Sequence, residues 1–366
     1  MIKVLHIITD SNVAGAGHQL LALIGASDAS AYTMEVVLPT SSKLVPLLAG
    51  RGIPYHEAPH IAEKSFSLAG VRTLHKVIKR LTPDIVHTHS SLSGRIAARL
   101  YGRCRVVHTR HSAFPIAGWR KRFPFRQLAG LMNNRLSDLV IAISPASVEN
   151  LLDMGTKKDK IRMMFNGTAP VRSFTEDEVN ALKEKYSIPP DVFVLAIMAR
   201  LTEVKGHDHI LDAAKAVPDV LILIAGDGER RAHLEERIAR EGIANVRLLG
   251  FIENVDEIIA MTDVMLNASF GTEAASMSLI QGMSAGLPSV VSDYGGNPHL
   301  IQDGVNGLVT PLRDSQAMAD AILRLKSDPE LYRQMSANAR RIYEERFMDK
   351  KMASDTEAVY REILER

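Results

Sequence analysis

The sequence predicts an α/β protein made of two parallel sheets with helices packed on them. Three observations lead to this prediction. The chain has 366 residues, more than one domain usually holds; 46% of them are hydrophobic, enough for two cores. Short apolar runs also alternate with longer helical patterns along nearly the whole chain. This alternation is typical of βαβ units, whose strands lie parallel, so we expect two domains of similar size.

The first sheet is predicted from five apolar runs at residues 3–8, 34–38, 85–87, 106–109 and 139–143, which are separated by amphipathic segments such as AGVRTLHKVIKRL. The first run lies in MIKVLHIITD, which lacks the small-residue cleavage site of a secretory signal, so we interpret it as a buried strand. No run reaches the roughly 18 apolar residues that indicate a membrane span.

A second series of strands begins at VFVLAIMARL and continues through VLILIAGDG, VRLLGF, VMLNAS, LPSVVSD and GLVTP. Residues 166–191, rich in Pro and polar side chains, are predicted to connect the domains and to include the first helix of the second. The chain ends in helical patterns, with one helix starting at Asp328 and Pro329 and a last one from about Asp349. We therefore expect domain one at 1–170, domain two at 171–345, and a C-terminal helix at 346–366 that packs back on domain one.

Composition excludes several classes of protein. The 44 Lys and Arg residues against 42 Asp and Glu leave a net charge of +2, so nucleic-acid binding is not expected. The single cysteine, Cys104, rules out an intramolecular disulfide and a Cys-rich zinc site, and we expect it in the core. Neither a Walker A sequence nor an HExxH metal-binding motif occurs.

The first strand-to-helix turn, SNVAGAGHQL, places Gly15 and Gly17 where backbone N–H groups can approach a phosphate. The dinucleotide-binding fingerprint is incomplete, because its third glycine would fall at Leu20 and no carboxylate follows the strand at 34–38. A nicotinamide cofactor is therefore disfavoured. The turn is either a tight connection or a ligand contact.

Histidines stand at the ends of two predicted strands. DIVHTHSSLSG contains His87 and His89, and RVVHTRHSAFP contains His108, Arg110 and His111. In a doubly wound sheet the carboxyl ends of the strands face the ligand crevice. A single histidine is more often structural than functional, but four of them at two strand ends favour a crevice lining.

Arg200 and Lys205 follow the first strand of domain two, in MARLTEVKGHDHIL. Taken alone they could be surface charge. Their position at a strand-to-helix turn favours a clamp on an anionic group, with the arginine as a planar fork and the lysine as a point charge.

Residues 270–300, FGTEAASMSLIQGMSAGLPSVVSDYGGNPHL, predict a helix at 274–285 with Glu273 in front of it. Small residues in the first turn, Ala274 to Ser276, leave N–H groups accessible to a phosphate. A phosphate would repel a carboxylate that faced it, so Glu273 is expected to face neighbouring hydroxyl groups. This combination suits a sugar diphosphate; the alternative is a capping carboxylate on an ordinary core helix.

These residues resemble the retaining glycosyltransferases of family 4, which have the GT-B fold. The resemblance extends over essentially the whole chain, through VHTRH, AISPASVENLL, FNGT, ARLTEVKG, IAGDGERRAHLEE, VRLLGF and TEAASMSLIQGMSAGLPSVVSDYGGNPHLI. Each piece is weak alone, but their order and spacing are specific. The resemblance implies two Rossmann-like doubly wound domains facing across a crevice, with the C-terminal helix crossing back to the N-terminal domain.

The resemblance also implies a donor site for a UDP- or GDP-linked sugar, without a metal or other cofactor. Its residues would be Gly15, Arg200, Lys205, Gly250, Phe251, Glu273, Met277, Ser278 and Gln281. Arg200, Lys205 and the backbone at Met277 and Ser278 would bind the diphosphate, and the loop at Gly250 and Phe251 the base. His111 and Glu273 would be the catalytic residues at the reacting sugar.

Two positions depart from the family pattern. The second glutamate of the donor motif is Gln281 here, which can hydrogen-bond a ribose hydroxyl without a charge, and His299 stands where a glutamate is usual. A second function therefore stays open, a non-catalytic nucleotide-sugar binder or partner subunit. A third is a nucleotide-sugar epimerase on the same architecture.

The implied reaction moves a hexose or N-acetylhexosamine to an acceptor hydroxyl with retention at the anomeric carbon. The acceptor is expected at domain one, where GWRKRFPFRQLAGLMNNR places Arg120, Lys121 and Arg122 beside Trp119. Basic residues among aromatics suit an anionic membrane surface, which favours a lipid-linked or cell-envelope glycan. The alternative is a solvated helix whose aromatics face the core. We expect a cytoplasmic protein that can lie peripherally on the inner face of the membrane.

Overall fold

The structure, a computed structural model, describes residues 1–12, 15–111, 118, 122–271 and 273–366. The chain divides into two compact units: unit one comprises Met1–Gly167 and Asp349–Arg366, and unit two comprises Thr168–Met348. The crossings between them lie close to the predicted positions 170 and 345. In the described part of the chain, none of the helices combines the length and the apolar character that crossing a membrane requires.

Unit one is built on a seven-stranded parallel sheet in the order β3-β2-β1-β4-β5-β6-β7. Its strands are β1 (Ile2–Ile8), β2 (Tyr32–Pro39), β3 (Tyr55–Ala58), β4 (Ile85–His89), β5 (Arg105–Arg110), β6 (Leu139–Ala142) and β7 (Ile161–Met163). The helices between them are α1 (Gly15–Ala26), α2 (Val45–Gly50), α3 (Leu68–Leu81), α4 (Leu92–Tyr101), α5 (Phe125–Leu136) and α6 (Pro145–Asp153).

Unit two is built on a six-stranded parallel sheet in the order β10-β9-β8-β11-β12-β13. Its helices are α7 (Glu176–Lys185), α8 (His207–Ala216), α9 (Arg231–Glu241), α10 (Val255–Ala260), α11 (Met277–Ser284), α12 (Asn297–Leu300), α13 (Ser315–Ser327) and α14 (Pro329–Arg346). Its strands are β8 (Phe193–Met198), β9 (Val220–Ala225), β10 (Val246–Gly250), β11 (Val264–Asn267), β12 (Ser289–Ser292) and β13 (Gly307–Thr310). The two Rossmann-like sheets confirm the predicted fold class.

The strands are apolar because helices cover both faces of each sheet. Along β1, Leu5 and Ile7 pack into one hydrophobic cluster with residues of α3 and α4, whereas Val4 packs on the opposite face. Cys104 packs, partly buried, against the first of these clusters, and burial raises the pKa of its thiol to about 11. Each fully buried Leu, Ile or Val side chain stabilises the fold by roughly 1.5–3 kcal/mol relative to exposure.

The last helix, α15 (Asp349–Glu365), completes the core of unit one. Val359, Tyr360 and Ile363 are buried in the same cluster as Val4. The Tyr360 hydroxyl also lies 2.6 Å from Nδ1 of His87 on β4. The segment from Asp349 onward is therefore part of the interior of unit one.

Two strands, β3 and β7, are absent from the sequence prediction. Both are edge strands of only four and three residues, and along β3, YHEA, only Ala58 is fully buried. An edge strand has a partner on one side only, so its sequence carries less of the continuous apolar signal that identified the central strands. The prediction for the central strands 34–38 and 106–109 falls inside the observed β2 and β5.

Candidate active site

A buried carboxylate, Glu273, is the centre of a polar group in unit two. It follows β11 and is only 7% exposed. Its Oε2 accepts hydrogen bonds from Lys205 Nζ at 2.7 Å, Ser269 Oγ at 3.1 Å and Asn267 Nδ2 at 3.2 Å. An unpaired charge at this depth would be strongly unfavourable. The three donors compensate for its burial and fix the position of this oxygen.

The backbone of Glu273 is held by the Gly-Gly turn that follows β12. Gly296 donates its N–H to the carbonyl of Glu273 at 2.9 Å. A Cβ on Gly296 would lie 1.9 Å from the carbonyl oxygen of Ala274, and one on Gly295, whose φ is +58°, would lie 2.2 Å from that of Glu273. Only glycine permits so close an approach of two backbones, so this turn sets the height of the carboxylate above the sheet.

The helix behind Glu273 begins later than predicted. The sequence places its start at Ala274, whereas α11 begins at Met277, because Ser276 adopts an extended conformation and its hydroxyl accepts a hydrogen bond from the N–H of Leu279. Ala274 thus belongs to the loop. The N–H groups of Met277 and Ser278 lie in the first turn, where no intrahelical carbonyl pairs with them, so they are suited to an anionic group.

The two predicted cations differ in their surroundings. Arg200 lies exposed just after β8. Lys205 is largely buried in a short 3₁₀ turn and pairs with Glu273, a contact that the sequence analysis did not foresee. Gly206, with φ of +73°, allows this turn to pass close to the end of β11, since a Cβ there would lie 2.1 Å from the carbonyl of Ala268.

The remaining predicted donor residues of unit two also lie at the carboxyl end of the sheet or on α11. Gly250 ends β10 with φ of +76°, and its carbonyl accepts the N–H of Gly226 at 2.7 Å. The ring of Phe251, the next residue, is 71% exposed and offers an aromatic face. Gln281 is partly exposed on α11. A cavity of about 260 Å³ lies beside this group rather than on it, lined by Glu203, Gly206, Asp208, His209, Arg230, Phe270 and Arg313.

Unit one holds a second polar group, a stack of histidines on one face of its sheet. In the strand register His6 lies beside His87, and His89 beside Thr109. Because side chains alternate between the faces of a strand, these four share one face with His111. The ring centroids of His87 and His89 are 4.6 Å apart and those of His89 and His111 are 5.1 Å apart. We call His6, His87, His89 and His111 the histidine stack.

Hydrogen bonds join three members of the histidine stack in a row. His6 Nδ1 lies 3.1 Å from His89 Nε2, and His89 Nδ1 lies 2.8 Å from His111 Nε2. His6, His87 and His89 also have ring nitrogens within 4.8 Å of one another, the kind of grouping that can hold a metal ion. Both nitrogens of His89 are engaged in the row, however, and both nitrogens of His87 are bonded to Tyr360 and Thr109. These contacts satisfy both nitrogens of His87 and of His89 without a metal.

Burial lowers the pKa of every member of the histidine stack. The pKa of His6 falls to about 3 and that of His111 to about 4. The pKa values of His87 and His89 are also well below the usual value, because of burial first and their histidine neighbours second. The stack is therefore uncharged at neutral pH.

The structure corrects the prediction that four histidines line a crevice. His87, His89 and His108 are buried and hydrogen-bonded within unit one, and of the four only His111 is partly exposed. For His89 the physical reason is strand length, because β4 continues two residues beyond the predicted strand. His87 is covered by Tyr360 of the last helix, and His108 lies within β5 and bonds Thr88.

Other predicted residues of unit one lie near the carboxyl end of the sheet or outside the described part. Gly15 is the exposed first residue of α1. Arg122 is exposed before α5, whereas Trp119, Arg120 and Lys121 fall outside the described residues.

Several residues that shape these groups were not singled out from the sequence. Asn267 and Ser269 both bind Glu273, and their only signal is their place at the end of the strand VMLNAS. His6 belongs to the histidine stack, and Tyr360 binds its member His87. The alternation of residues 4, 6 and 8 on a buried strand could have identified the face of His6, but Tyr360 gives no local signal.

Comparison with known proteins identifies the family. A family described as "Glycosyl transferases group 1" matches residues 178–342, and "Glycosyltransferase Family 4" matches residues 13–172. Together they account for nearly the whole of both units. The chain belongs to the family 4 glycosyltransferases. The predicted family and the GT-B fold are thereby confirmed.

Relatives of this glycosyltransferase include enzymes with different named activities. It is 27% identical over 323 residues to the N-acetyl-alpha-D-glucosaminyl L-malate synthase of Bacillus anthracis, covering 82% of this chain and 80% of that protein. It is 29% identical over 290 residues to the UDP-Gal:alpha-D-GlcNAc-diphosphoundecaprenol alpha-1,3-galactosyltransferase of Escherichia coli, covering 73% and 72%. The crystal structure of Anabaena Alr3699/HepE in complex with UDP superimposes with a TM-score of 0.85 at 22% identity, covering 99% of this chain and 100% of that one.

The close approach of the Gly-Gly turn to Glu273 can be tested by Gly296→Ala. The φ of Gly296 is −84°, which alanine adopts freely, so any cost comes from the collision of Cβ with the Ala274 carbonyl. Unfolding by urea should show a loss of about 1–3 kcal/mol. Gly25→Ala is the matched control, because a Cβ there meets nothing within 4 Å, and it should be neutral or slightly stabilising. Equal effects of the two substitutions would contradict this account.

The buried histidines should make the fold sensitive to acid. An unfolded histidine takes up a proton near pH 6.5, whereas folded His6, with a pKa of about 3, does not, so stability decreases as the pH falls below about 6.5. For His6 this loss is about 2 kcal/mol between pH 7 and pH 5. His6→Leu should reduce the pH dependence of urea unfolding, followed by circular dichroism, by about that amount.

The matched control for this pH experiment is His75→Leu, a partly exposed histidine of the same unit. It should leave the pH dependence close to that of the unsubstituted protein. If His6→Leu left the slope between pH 7 and pH 5 unchanged, His6 would have to be protonated in the folded state.

Proposed function

We propose that this glycosyltransferase moves a hexose or N-acetylhexosamine from a UDP- or GDP-linked sugar to an acceptor hydroxyl, with retention at the anomeric carbon. The observation that carries the proposal is the anchoring of Glu273. All three described hydrogen bonds of its side chain reach Oε2. A carboxylate fixed through one oxygen presents the other to a ligand, and a sugar hydroxyl is the natural donor to it.

The diphosphate of the donor is proposed to bind next to this carboxylate. Arg200 would bind it as a planar fork, Lys205 as a point charge, and the N–H groups of Met277 and Ser278 through the helix N-terminus. As the glycosidic bond breaks, negative charge develops on the leaving phosphate, and fixed positive groups stabilise it without a metal. The leaving phosphate itself would help to deprotonate the acceptor hydroxyl.

Lys205 has a double role in this proposal. Without a ligand it neutralises Glu273 at 2.7 Å. With the donor in place it would share its charge between the carboxylate and the phosphate. Phe251, with its exposed ring, and Gly250 would hold the base, Gln281 the ribose, and His111 of unit one would act on the reacting sugar.

Donor binding provides the first test. Calorimetry with UDP, GDP, ADP and their sugar conjugates should show selection for one base, and the sugar conjugate should bind more tightly than the diphosphate alone. Glu273→Ala should remove that extra affinity, about 10–100-fold for a lost hydrogen bond to a charged group. Affinity for the diphosphate itself should be equal or higher, because Lys205 is released from its partner.

Glu203→Gln is the matched control for this experiment, since Glu203 is an exposed carboxylate two residues before Lys205. It should bind all ligands as the unsubstituted protein does. Loss of diphosphate affinity in Glu273→Ala would contradict the assigned roles. Donor binding without either transfer or slow donor hydrolysis would instead favour a non-catalytic nucleotide-sugar binder.

The acceptor is proposed to be lipid-linked or part of a cell-envelope glycan, approached from an anionic membrane. The support is an exposed apolar face at α5, where Phe123 is 81%, Leu128 56% and Leu131 50% exposed. Arg122 and Arg126 lie exposed next to it. Apolar side chains bordered by arginines bind anionic bilayers through burial and charge together. The alternative, aromatics that face the core, does not fit the exposure of Phe123.

Vesicle co-sedimentation tests this part of the proposal. Binding to vesicles with anionic lipid should fall at least about tenfold when Arg120, Lys121 and Arg122 are changed to Glu, since each basic residue near the surface contributes about 1 kcal/mol. Leu128→Ser with Leu131→Ser should weaken binding at high salt as well. The control changes Lys76, Lys79 and Arg80, exposed on α3 of the same unit, to Glu. Undiminished binding of the first variant, or an equal loss in the control, would contradict the proposed binding to an anionic membrane.

A further inference from the structure

His111 is the last ring in a row of three hydrogen-bonded histidines. His89 lies between His6 and His111 and uses one nitrogen for each, at 3.1 Å and 2.8 Å. His6 and His89 are fully buried. The position of the ring proton on His89 therefore decides which nitrogen of His111 is protonated.

Each ring in the row has one proton, because burial holds all three pKa values below the usual range. A neutral imidazole is a donor at one nitrogen and an acceptor at the other. His89 must consequently donate in one of its two bonds and accept in the other. Only two arrangements of the row satisfy this condition.

The far end of the row distinguishes the two arrangements. His6 Nε2 is buried and has no hydrogen-bond partner among the described residues. If protons run toward His6, this atom is a buried N–H without an acceptor. If they run toward His111, it is an unprotonated nitrogen without a donor. Orphaned buried N–H groups are the rarer defect in native proteins, so the second arrangement is favoured.

We propose that His89, supported by His6, is a positioning residue that holds His111 as the neutral tautomer with its proton on Nδ1. His6 Nδ1–H donates to His89 Nε2, and His89 Nδ1–H donates to His111 Nε2. His111 then presents a hydrogen-bond donor, not an acceptor or a cation, to its ligand. The role of that donor rests on the proposed function, in which His111 acts on the donor sugar; the tautomer itself does not.

In the proposed reaction, this tautomer would make His111 and Glu273 complementary partners for the sugar. Glu273 would accept a hydrogen bond from a sugar hydroxyl. His111 would donate one as a neutral ring, without a charge. Free histidine prefers the other tautomer, with its proton on Nε2. The row thus holds His111 in the less common form, and an unsupported ring at this position would revert.

The test is the tautomer of His111 in the full chain, read from the ¹⁵N shifts of its ring in two-bond ¹H–¹⁵N spectra at pH 7. The signal is assigned with His111→Gln. The unsubstituted protein should show the proton on Nδ1. His89→Phe keeps a ring in the stack but removes both hydrogen bonds, so the His111 signal should move toward the form protonated on Nε2.

His89→Asn is the rescue variant. The amide of asparagine lies at the same distance from the backbone as Nδ1 of histidine, so it can donate to His111 Nε2 and restore the tautomer. His108→Phe is the matched control, a buried histidine that bonds Thr88 on the other face of the sheet and should leave the signal unmoved. If His89→Phe does not fold, the tautomer of His111 in the unsubstituted protein still decides the question.

Transfer activity adds an independent reading. We expect His89→Phe to lower kcat about tenfold, the usual effect of one hydrogen bond, with donor KM changed less than about threefold, and His89→Asn to recover most of it. A proton on Nε2 of His111 in the unsubstituted protein, or the same tautomer in the His89→Phe variant, would overturn the proposal. So would Zn²⁺ bound by the histidine stack, removable by chelator and lost in His6→Leu.

The two proposals fail in different ways. A fixed Nδ1–H tautomer in a protein that transfers no sugar would refute the proposed function and leave the positioning role of His89 standing. Transfer that is unaffected by His89→Phe, with the tautomer changed, would refute the role of the tautomer in the reaction and leave the transferase assignment intact.

Discussion

Both units depend on one constraint: a parallel sheet covered by helices on two faces leaves only its carboxyl edge for polar chemistry. Lys205 follows β8, Glu273 follows β11 and His111 follows β5, at seven, six and one residues after the respective strand ends. The place of each of these side chains in the fold therefore follows from the strand that precedes it.

Polar groups close to such an edge are partly buried, and burial requires partners. Glu273 is satisfied by three donors, and His89 by two rings. The contacts that make burial tolerable also fix the orientation of the group. In both units, the same hydrogen bonds consequently stabilise the fold and fix the geometry of the polar group.

The sequence is sufficient for the fold class, because strands buried on both faces give continuous apolar runs such as VLILIAGDG. It is also sufficient to locate Glu273 and Lys205, through their places after strands. The contact between Glu273 and Lys205 could not be predicted from the sequence, because the two residues are 68 positions apart. The same holds for Tyr360 and His87, which are 273 positions apart. Which strands are neighbours, and in what register, decides these contacts, and neither follows from local pattern. The start of α11 was missed for a different reason, since either Glu273 or Ser276 could have capped the helix.

Unit one is formed from two separated segments of the chain. This affects the order in which its parts are synthesised and fold. Residues up to Gly167 leave the ribosome long before Asp349–Arg366 do, with all of unit two in between. Until α15 has been synthesised, no helix covers the face of β1, β4 and β5 on which Tyr360 packs. His87 also lacks the Tyr360 hydroxyl as a hydrogen-bond partner. Unit two, continuous in sequence, can fold as soon as it emerges. The N-terminal sheet begins first and finishes last.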